Sequence, residues 1–184
     1  MTKIEATTYD PVARLLHWLV FALLALQFAV AWTMPDMHRD TRPEGLIAWH
    51  LSIGTLILLV IVLRLLWRLR HPAPPPLATV PPWLQTLSRL LHFLLYALLL
   101  SLPLLGWGNA SSRGWDVSLF GLIPLPRLLA QGSSFGHALG DIHSLTATIL
   151  LILVGAHGAA ALYHHFIVKD RTLARMLPLR SRAD

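Results

Sequence analysis

A stretch of 27 residues without a charged side chain, residues 142–168, constrains this sequence more than any other feature. It lies between Asp141 and Lys169 and is long enough to cross the hydrocarbon core of a membrane, about 30 Å thick, as one helix. An imidazole is costly where water cannot solvate it, so histidines inside such a stretch indicate a functional site. This stretch contains four of them: His143, His157, His164 and His165.

The spacing of two of these histidines predicts two ligands on one helix face. His143 and His157 are fourteen positions apart. On an α-helix this places them about 40° short of four full turns and roughly 21 Å apart along the axis. One helix therefore offers an imidazole near each side of a bilayer, as two metal centres stacked across a membrane would require.

The composition supports a membrane protein whose metal ligands are histidines. Of 184 residues, 55% are hydrophobic and only 13% are charged, about half the charge of a typical soluble domain. The chain has no cysteine, which excludes disulfides, iron–sulfur clusters and thioether-attached haem. Ten histidines remain as the obvious candidates for metal binding.

Four charge-free stretches predict an all-α fold, an integral membrane four-helix bundle formed by a single domain of residues 1–184. We expect helices at about 11–34, 43–70, 83–108 and 140–168, each long enough to span a bilayer. The first could be taken for a signal peptide, because Ala29-Val30-Ala31 has the small-x-small cleavage pattern. Its apolar run is longer than that of a usual signal peptide, so we interpret it as a retained helix.

The distribution of Lys and Arg predicts that both termini are cytoplasmic. With the N-terminus inside, the outer loops hold four basic residues, Arg39, Arg42, Arg113 and Arg127. The inner segments hold the other eleven: Lys3, Arg14, Arg64, Arg68, Arg70, Arg89, Lys169, Arg171, Arg175, Arg180 and Arg182. The net charge of +6 is then explained by contact with the inner leaflet, and nucleic-acid binding is not needed to explain it.

Depth in the membrane indicates which histidines can meet. His50 and His143 both lie near the outer side, whereas His17 and His157 both lie near the inner side. His92 lies at the same depth as His17, so depth alone leaves the two as competing partners of His157. Two such pairs on facing helices would form two sites within the bundle.

Paired histidines on facing helices suit a planar macrocycle such as haem. Zinc in proteins usually has four protein ligands, or three and a water. Gly54, one turn from His50 on the same face, leaves room for a flat ligand to approach the backbone. The alternatives are a histidine-lined metal or proton pathway without haem, and an interfacial position, which fits His38, His71 and His137.

Several short motifs are spread over nearly the whole chain. One opens the first helix, Arg14-Leu15-Leu16-His17-Trp18. The second helix carries His50-x-Ser52-x-Gly54 and Arg64-x-x-x-Arg68. The others are the proline-rich inner loop, Arg113-Gly114, Phe120-Gly121, His143, the segment from His157 to Phe166, Lys169-Asp170 and Leu173-Ala174-Arg175-Met176. With these motifs together, the chain resembles the bacterial cytochrome b561 family, small four-helix di-haem proteins.

The resemblance implies two haem b groups, the inner one held by His17 and His157 and the outer one by His50 and His143. It thereby favours His17 over His92. It also implies an oxidoreductase of the bacterial inner membrane that moves electrons from a periplasmic donor to the ubiquinone pool of the respiratory chain. Some members resemble superoxide oxidases. The alternative is a haem-bearing relay subunit of a partner dehydrogenase without substrate chemistry of its own.

Four residues at the inner surface form a candidate site for the quinone head group. His164 lies seven residues after His157 on the same face and about 10 Å nearer the cytoplasm. Together with Lys169, Arg14 and Trp18 it would place polar groups at an apolar opening. The alternative is that these side chains lie among lipid head groups.

Two arginines are candidate partners of haem propionates, Arg64 at the inner haem and Arg113 at the outer one. The outer loops hold four basic and five acidic residues, so their net charge of −1 would not steer superoxide. Superoxide is therefore expected as the donor only because of the resemblance. The apolar segment Leu119–Leu129 is expected to lie on the membrane interface, with Trp115 as its anchor.

Overall fold

The computed structural model describes residues 8–38, 40–77 and 80–177 and has four long helices. Helix α1 is Pro11–Thr33, α2 is Leu46–Arg70, α3 is Pro82–Ser112 and α4 is Ser134–Tyr163, which continues as a π-helical turn, His164–Val168. All four are long and apolar enough to cross a membrane. The predicted all-helical membrane bundle is thus confirmed, and Lys3, Arg39, Arg180 and Arg182 lie outside the described residues.

Local capping sets where two of the helices begin. Ala13 donates its backbone N–H to the Asp10 side chain over 3.0 Å, and Pro11 occupies the first turn of α1, as its fixed φ allows. Gly136 likewise donates to the hydroxyl of Ser133. This second cap starts α4 at residue 134, whereas the charge pattern had predicted about 140, because a capped helix extends beyond its apolar core.

The helices pack in chain order, and this leaves a gap on one side of the bundle. Helix α1 packs on α2, α2 on α3 and α3 on α4. The shared core includes Leu24, Ile57, Ile61, Leu99 and Leu150. In contrast, no Cα atom of α1 or α2 lies within 8 Å of a Cα atom of α4. We call the space between α4 and the α1–α2 pair the interhelical gap.

The two ends of the bundle differ in structure. The start of α1, the α2–α3 connection and the end of α4 lie together on what we call the terminal side, where the Tyr9 amide donates to the Arg175 carbonyl. The α3–α4 connection lies on the opposite, loop side. It includes a short antiparallel hairpin, β1 (Ser118–Leu119) and β2 (Ile123–Pro124).

The hairpin is attached to α2 by one buried side chain, Ser52. The Ser52 hydroxyl donates to the Ser118 carbonyl and accepts from the Phe120 amide, each over 3.2 Å. Trp115 is buried in a small second core, beside Ile47, and is not the exposed interfacial anchor expected from the sequence. The exposed apolar part of the connection is its tip, where the Leu122 side chain is 83% accessible.

We expect Ser52→Ala to loosen the hairpin, because it leaves the Phe120 amide and the Ser118 carbonyl without their partner. The expected cost is about 1 to 2 kcal/mol. Hydrogen exchange measured at Phe120 should become about tenfold faster. Thr148→Ala is the control, since that hydroxyl bonds only within α4. Equal exchange at Phe120 in both variants would contradict this role of Ser52.

Candidate functional site

His50 of α2 and His143 of α4 face each other across the loop-side half of the interhelical gap. Their ring centres are 6.1 Å apart. His143 Nδ1 lies 2.9 Å from the Leu102 carbonyl of α3, which accepts its proton and leaves the Nε2 lone pair free. His50 Nδ1 is buried and has no hydrogen-bond partner within the described part of the chain. A polar atom buried in this way favours a bound group that would orient the ring.

Gly106 allows His143 to lie against the backbone of α3, a contact that the sequence analysis missed. A Cβ atom at position 106 would lie 3.0 Å from His143 Cε1 and 3.1 Å from its Nδ1, which is tighter than ordinary contact. Glycine in an apolar helix was the available signal, because it is destabilising unless close packing requires it. The sequence did not indicate which ring it would face.

His17 of α1 and His157 of α4 form a second pair on the terminal side. Their ring centres are 6.2 Å apart. The ring centre of His92 lies 5.1 Å from that of His157, but His92 is exposed, and its Nδ1 lies 2.6 Å from the Ser88 carbonyl of its own helix. The structure therefore brings three imidazoles together here.

The ring separations distinguish the pairs. Because a metal–imidazole bond is about 2 Å long and a ring nitrogen lies about 1.1 Å from its ring centre, two imidazoles on opposite sides of one metal have ring centres about 6.3 Å apart. The pairs His50–His143 and His17–His157 match this separation. The pair His92–His157, at 5.1 Å, is too close for its two rings to lie on opposite sides of one metal.

The surroundings of the two matching pairs suit a flat group better than a compact ion. Over residues 8–38, 40–77 and 80–177, no three His, Cys, Asp or Glu side chains converge as a metal site of their own. The backbones that carry each pair are more than 8 Å apart. A Cβ atom on Gly54 would meet only Gln27 Nε2, at 3.4 Å, so the space beside this glycine is otherwise open. These residues fit a planar macrocycle with two axial imidazoles.

The four candidate quinone residues lie around the C-terminal segment, residues 170–177. The Arg14 guanidinium donates to the Leu177 carbonyl over 3.0 Å, and Trp18 Nε1 donates to the Met176 carbonyl over 2.9 Å. His164, at the start of the π-helical turn, is paired with a carboxylate six residues further on. Lys169 ends that turn in a left-handed conformation, with φ of 58°. The segment thus links α1 to the end of α4.

Asp170 is the carboxylate paired with His164. His164 Nδ1 lies 2.5 Å from Asp170 Oδ2, and the Thr172 amide donates to Oδ1 over 2.8 Å. Burial alone would raise the pKa of Asp170, but the hydrogen bonds from Thr172 and His164 outweigh it and hold this pKa below its usual value. The carboxylate is therefore ionised at neutral pH.

The two candidate propionate partners have different surroundings. Arg64 donates to the Ala13 carbonyl over 2.9 Å, and its guanidinium lies 5.9 Å from the ring centre of Tyr96. Arg113 lies over the Trp115 ring at 5.2 Å and donates to the His38 carbonyl over 3.3 Å. Its Nε is buried without a hydrogen-bond partner among the residues that the structure describes. A propionate partner for either arginine stays a prediction.

We expect Gly106→Ala to disturb the loop-side site alone, because the added methyl group would push the His143 ring away from the Leu102 carbonyl. Haem content per chain, measured as pyridine haemochromogen, should fall, or the potential of one haem should shift in a redox titration. The haem on the terminal side is the internal control and should titrate unchanged. Full haem content with both potentials unaltered would show that Gly106 does not position His143.

Comparison with known proteins assigns the chain to a family. The sequence profile described as prokaryotic cytochrome b561 matches residues 8–179. Cytochrome b561 homolog 2 of Escherichia coli strain K12 is 33% identical over 170 residues, covering 92% of this chain and 90% of that protein. A protein named probable superoxide oxidase CybB, from Yersinia pestis, is 33% identical over 167 residues, 89% of this chain and 92% of that protein.

A more distant relative carries a related name. Cytochrome b562 of Cereibacter sphaeroides is 26% identical over 167 residues, covering 88% of this chain and 90% of that protein. The family profile and both closer relatives extend over all four helices, the segments in which the paired histidines lie. The chain belongs to the prokaryotic cytochrome b561 family and is a multi-pass bacterial membrane protein with a haem b electron-transfer role.

Proposed function

We propose that this protein binds two haem b groups and carries electrons through the bacterial inner membrane from a periplasmic donor to ubiquinone. One observation carries the proposal: two pairs of imidazoles face each other, with ring centres 6.1 and 6.2 Å apart. Helix α4 contributes one imidazole to each pair. Haem bound at each pair would supply reversible one-electron chemistry. Since two imidazoles would hold each haem, substrates would exchange electrons with it without binding the metal.

The distribution of charge supports a cytoplasmic terminal side. Among the described residues, the loop side holds three basic residues, Arg42, Arg113 and Arg127. The terminal side holds eight: Arg14, Arg64, Arg68, Arg70, Arg89, Lys169, Arg171 and Arg175. The positive-inside rule then places His17 and His157 near the cytoplasm.

The quinone head group would bind on the terminal side, near His164, Lys169, Arg14 and Trp18. Reduction of ubiquinone to ubiquinol takes two electrons and two protons, so this site needs a proton donor that is refilled from the cytoplasm. His164 suits this task, because an imidazole can both take up and release a proton and the Asp170 carboxylate at its Nδ1 fixes the orientation of the ring. The side chains of Arg14 and Trp18, already fixed by carbonyls of the C-terminal segment, would form the opposite wall.

Superoxide is the proposed donor on the loop side. The Yersinia pestis relative is named a probable superoxide oxidase, and the reaction balances, since two superoxide anions, one ubiquinone and two protons give two molecules of oxygen and one ubiquinol. Arg127 is neutralised by Asp116 at 2.9 Å, whereas the Arg113 guanidinium contacts the His38 carbonyl and the Trp115 ring. Arg113 therefore supplies a local positive charge for an anion, although the outer loops as a whole have a net charge of −1.

We expect His17→Ala, His50→Ala, His143→Ala and His157→Ala each to lose one haem, because each removes one axial ligand. His92→Ala is the matched control and should retain both haems, since its ring lies too near the His157 ring for the two to lie on opposite sides of one metal. Haem content and the sharp α band of low-spin haem in the reduced absorption spectrum measure the outcome. Loss of haem from His92→Ala but not from His17→Ala would reverse the assignment.

We expect His164→Ala and Asp170→Asn to slow quinone reduction at least tenfold while both haems remain, because the proton donor or the carboxylate that orients it is removed. The assay is reduction of ubiquinone by superoxide with purified protein. His165→Ala is the control, since His165 is exposed and not paired with Asp170. Wild-type rates in all three variants would exclude this quinone site, and an inactive wild-type protein would favour the role of a relay subunit.

A further inference from the structure

A basic cleft lies on the terminal side, apart from both imidazole pairs and from His164, and shares Arg14 with the proposed quinone site. Its volume is about 650 Å³, and it opens between the start of α1 and the proline-rich α2–α3 connection. Residues from three segments line it: Thr8, Tyr9, Asp10, Pro11, Arg14, Arg70, His71, Pro72, Ala73, Pro74 and Pro75. We call this space the basic cleft.

The basic cleft carries an excess of positive charge. Arg14 and Arg70 line it, and the guanidinium of Arg68 lies 5.9 Å from the ring centre of Tyr9, another lining residue. The opposing charge is Asp10, whose carboxylate already accepts from the Ala13 amide and from Trp67 Nε1. Three positive charges against one negative charge leave a balance of +2.

Two of these guanidinium groups have N–H donors without a hydrogen-bond partner among the described residues. Arg14 Nε is buried with no hydrogen-bond partner among residues 8–38, 40–77 and 80–177. Arg70 is exposed at the end of α2, and its guanidinium makes no hydrogen bond or ion pair with any described residue. A buried donor without a partner is costly, and a guanidinium fits a phosphate well because it can donate two parallel hydrogen bonds.

The walls of the basic cleft are held in place without a ligand. Three prolines restrict the backbone of residues 72–75, and Arg175 donates to the Pro75 carbonyl over 2.8 Å. The His71 ring stacks on Trp67, with ring centres 4.0 Å apart and planes 11° from parallel. A preformed site loses little conformational entropy when a ligand binds.

The depth of the basic cleft indicates the source of its ligand. The membrane-spanning part of α1 begins at Pro11 and that of α2 ends at Arg70, so the cleft lies at the level of the lipid head groups. We propose that the basic cleft binds the phosphate group of an anionic phospholipid from the surrounding leaflet. Basic pockets at the cytoplasmic ends of membrane helices are suited to such head groups. The inference does not depend on the electron donor or acceptor.

The test compares lipid retention by matched arginine variants. The haem-loaded protein is placed in nanodiscs of phosphatidylcholine with a minor fraction of phosphatidylglycerol, and the lipid that remains bound is measured by native mass spectrometry. Wild type should retain one phosphatidylglycerol in preference to phosphatidylcholine. Arg70→Gln should weaken this retention about fivefold. Arg89→Gln is the control, because Arg89 is also on the terminal side but bonds to Thr86 outside the cleft.

A second arm separates a lipid from a free anion. Millimolar inorganic phosphate should leave the bound phosphatidylglycerol in place, because free phosphate lacks the acyl chains that the membrane holds at this depth. An unchanged haem spectrum in both variants verifies that the fold is intact. Equal loss of lipid in Arg70→Gln and Arg89→Gln would overturn the proposal, since it would show only general attraction to the leaflet. Displacement by phosphate would overturn it as well.

Discussion

The cost of an imidazole in a hydrocarbon environment governs the arrangement of this protein. The four paired imidazoles, those of His17, His50, His143 and His157, lie in spanning helices, where water cannot compensate an unpaired ring nitrogen. One ring nitrogen is satisfied within the protein, where His143 Nδ1 donates to the Leu102 carbonyl. The two pairs face each other across the interhelical gap that the backbone leaves between α4 and the α1–α2 pair. The haem groups that we propose would explain both the separation of the rings and the width of this gap.

The helices differ in how much they contribute to the apolar core. The apolar core that joins α1, α2 and α3 contains branched side chains such as Ile57 and Ile61, which pack without a ligand. Helix α4 adds few buried residues, and Leu150 is the one that joins this core from its centre. His143 and His157 lie on either side of Leu150, seven residues away in each direction. In the function that we propose, helix α4 would serve mainly to position ligands.

Much of this arrangement could be predicted from the sequence, because charge-free length and histidine spacing are properties of single segments. Residues 142–168 were sufficient to predict a spanning helix with an imidazole near each end. The choice between His17 and His92 could not be made in this way, since both lie at one depth. The ring separations of 6.2 and 5.1 Å, which depend on how three helices pack, favour His17.

For the same reason, contacts between segments could not be predicted from the sequence. Nothing in the order of residues indicated that Gly106 faces His143 or that Ser52 holds the hairpin. Trp115 was expected at the membrane interface because tryptophan favours it, yet tertiary packing beside Ile47 buries the ring. The start of α4 was placed too late because a cap such as Ser133 lies outside the apolar run that reveals the helix.

The open side of the bundle also has a consequence for biogenesis. Because the backbone of α4 contacts that of α3 but not that of α1 or α2, the inserted polypeptide could move α4 away from that pair by releasing side-chain packing and the hydrogen bonds of the C-terminal segment. In this open form, the apoprotein would allow haem to enter laterally from the lipid, after translation is complete. Binding of the cofactor by the histidines would then draw α4 towards α1 and α2. Cofactor insertion and the stability of the folded protein would therefore be thermodynamically linked.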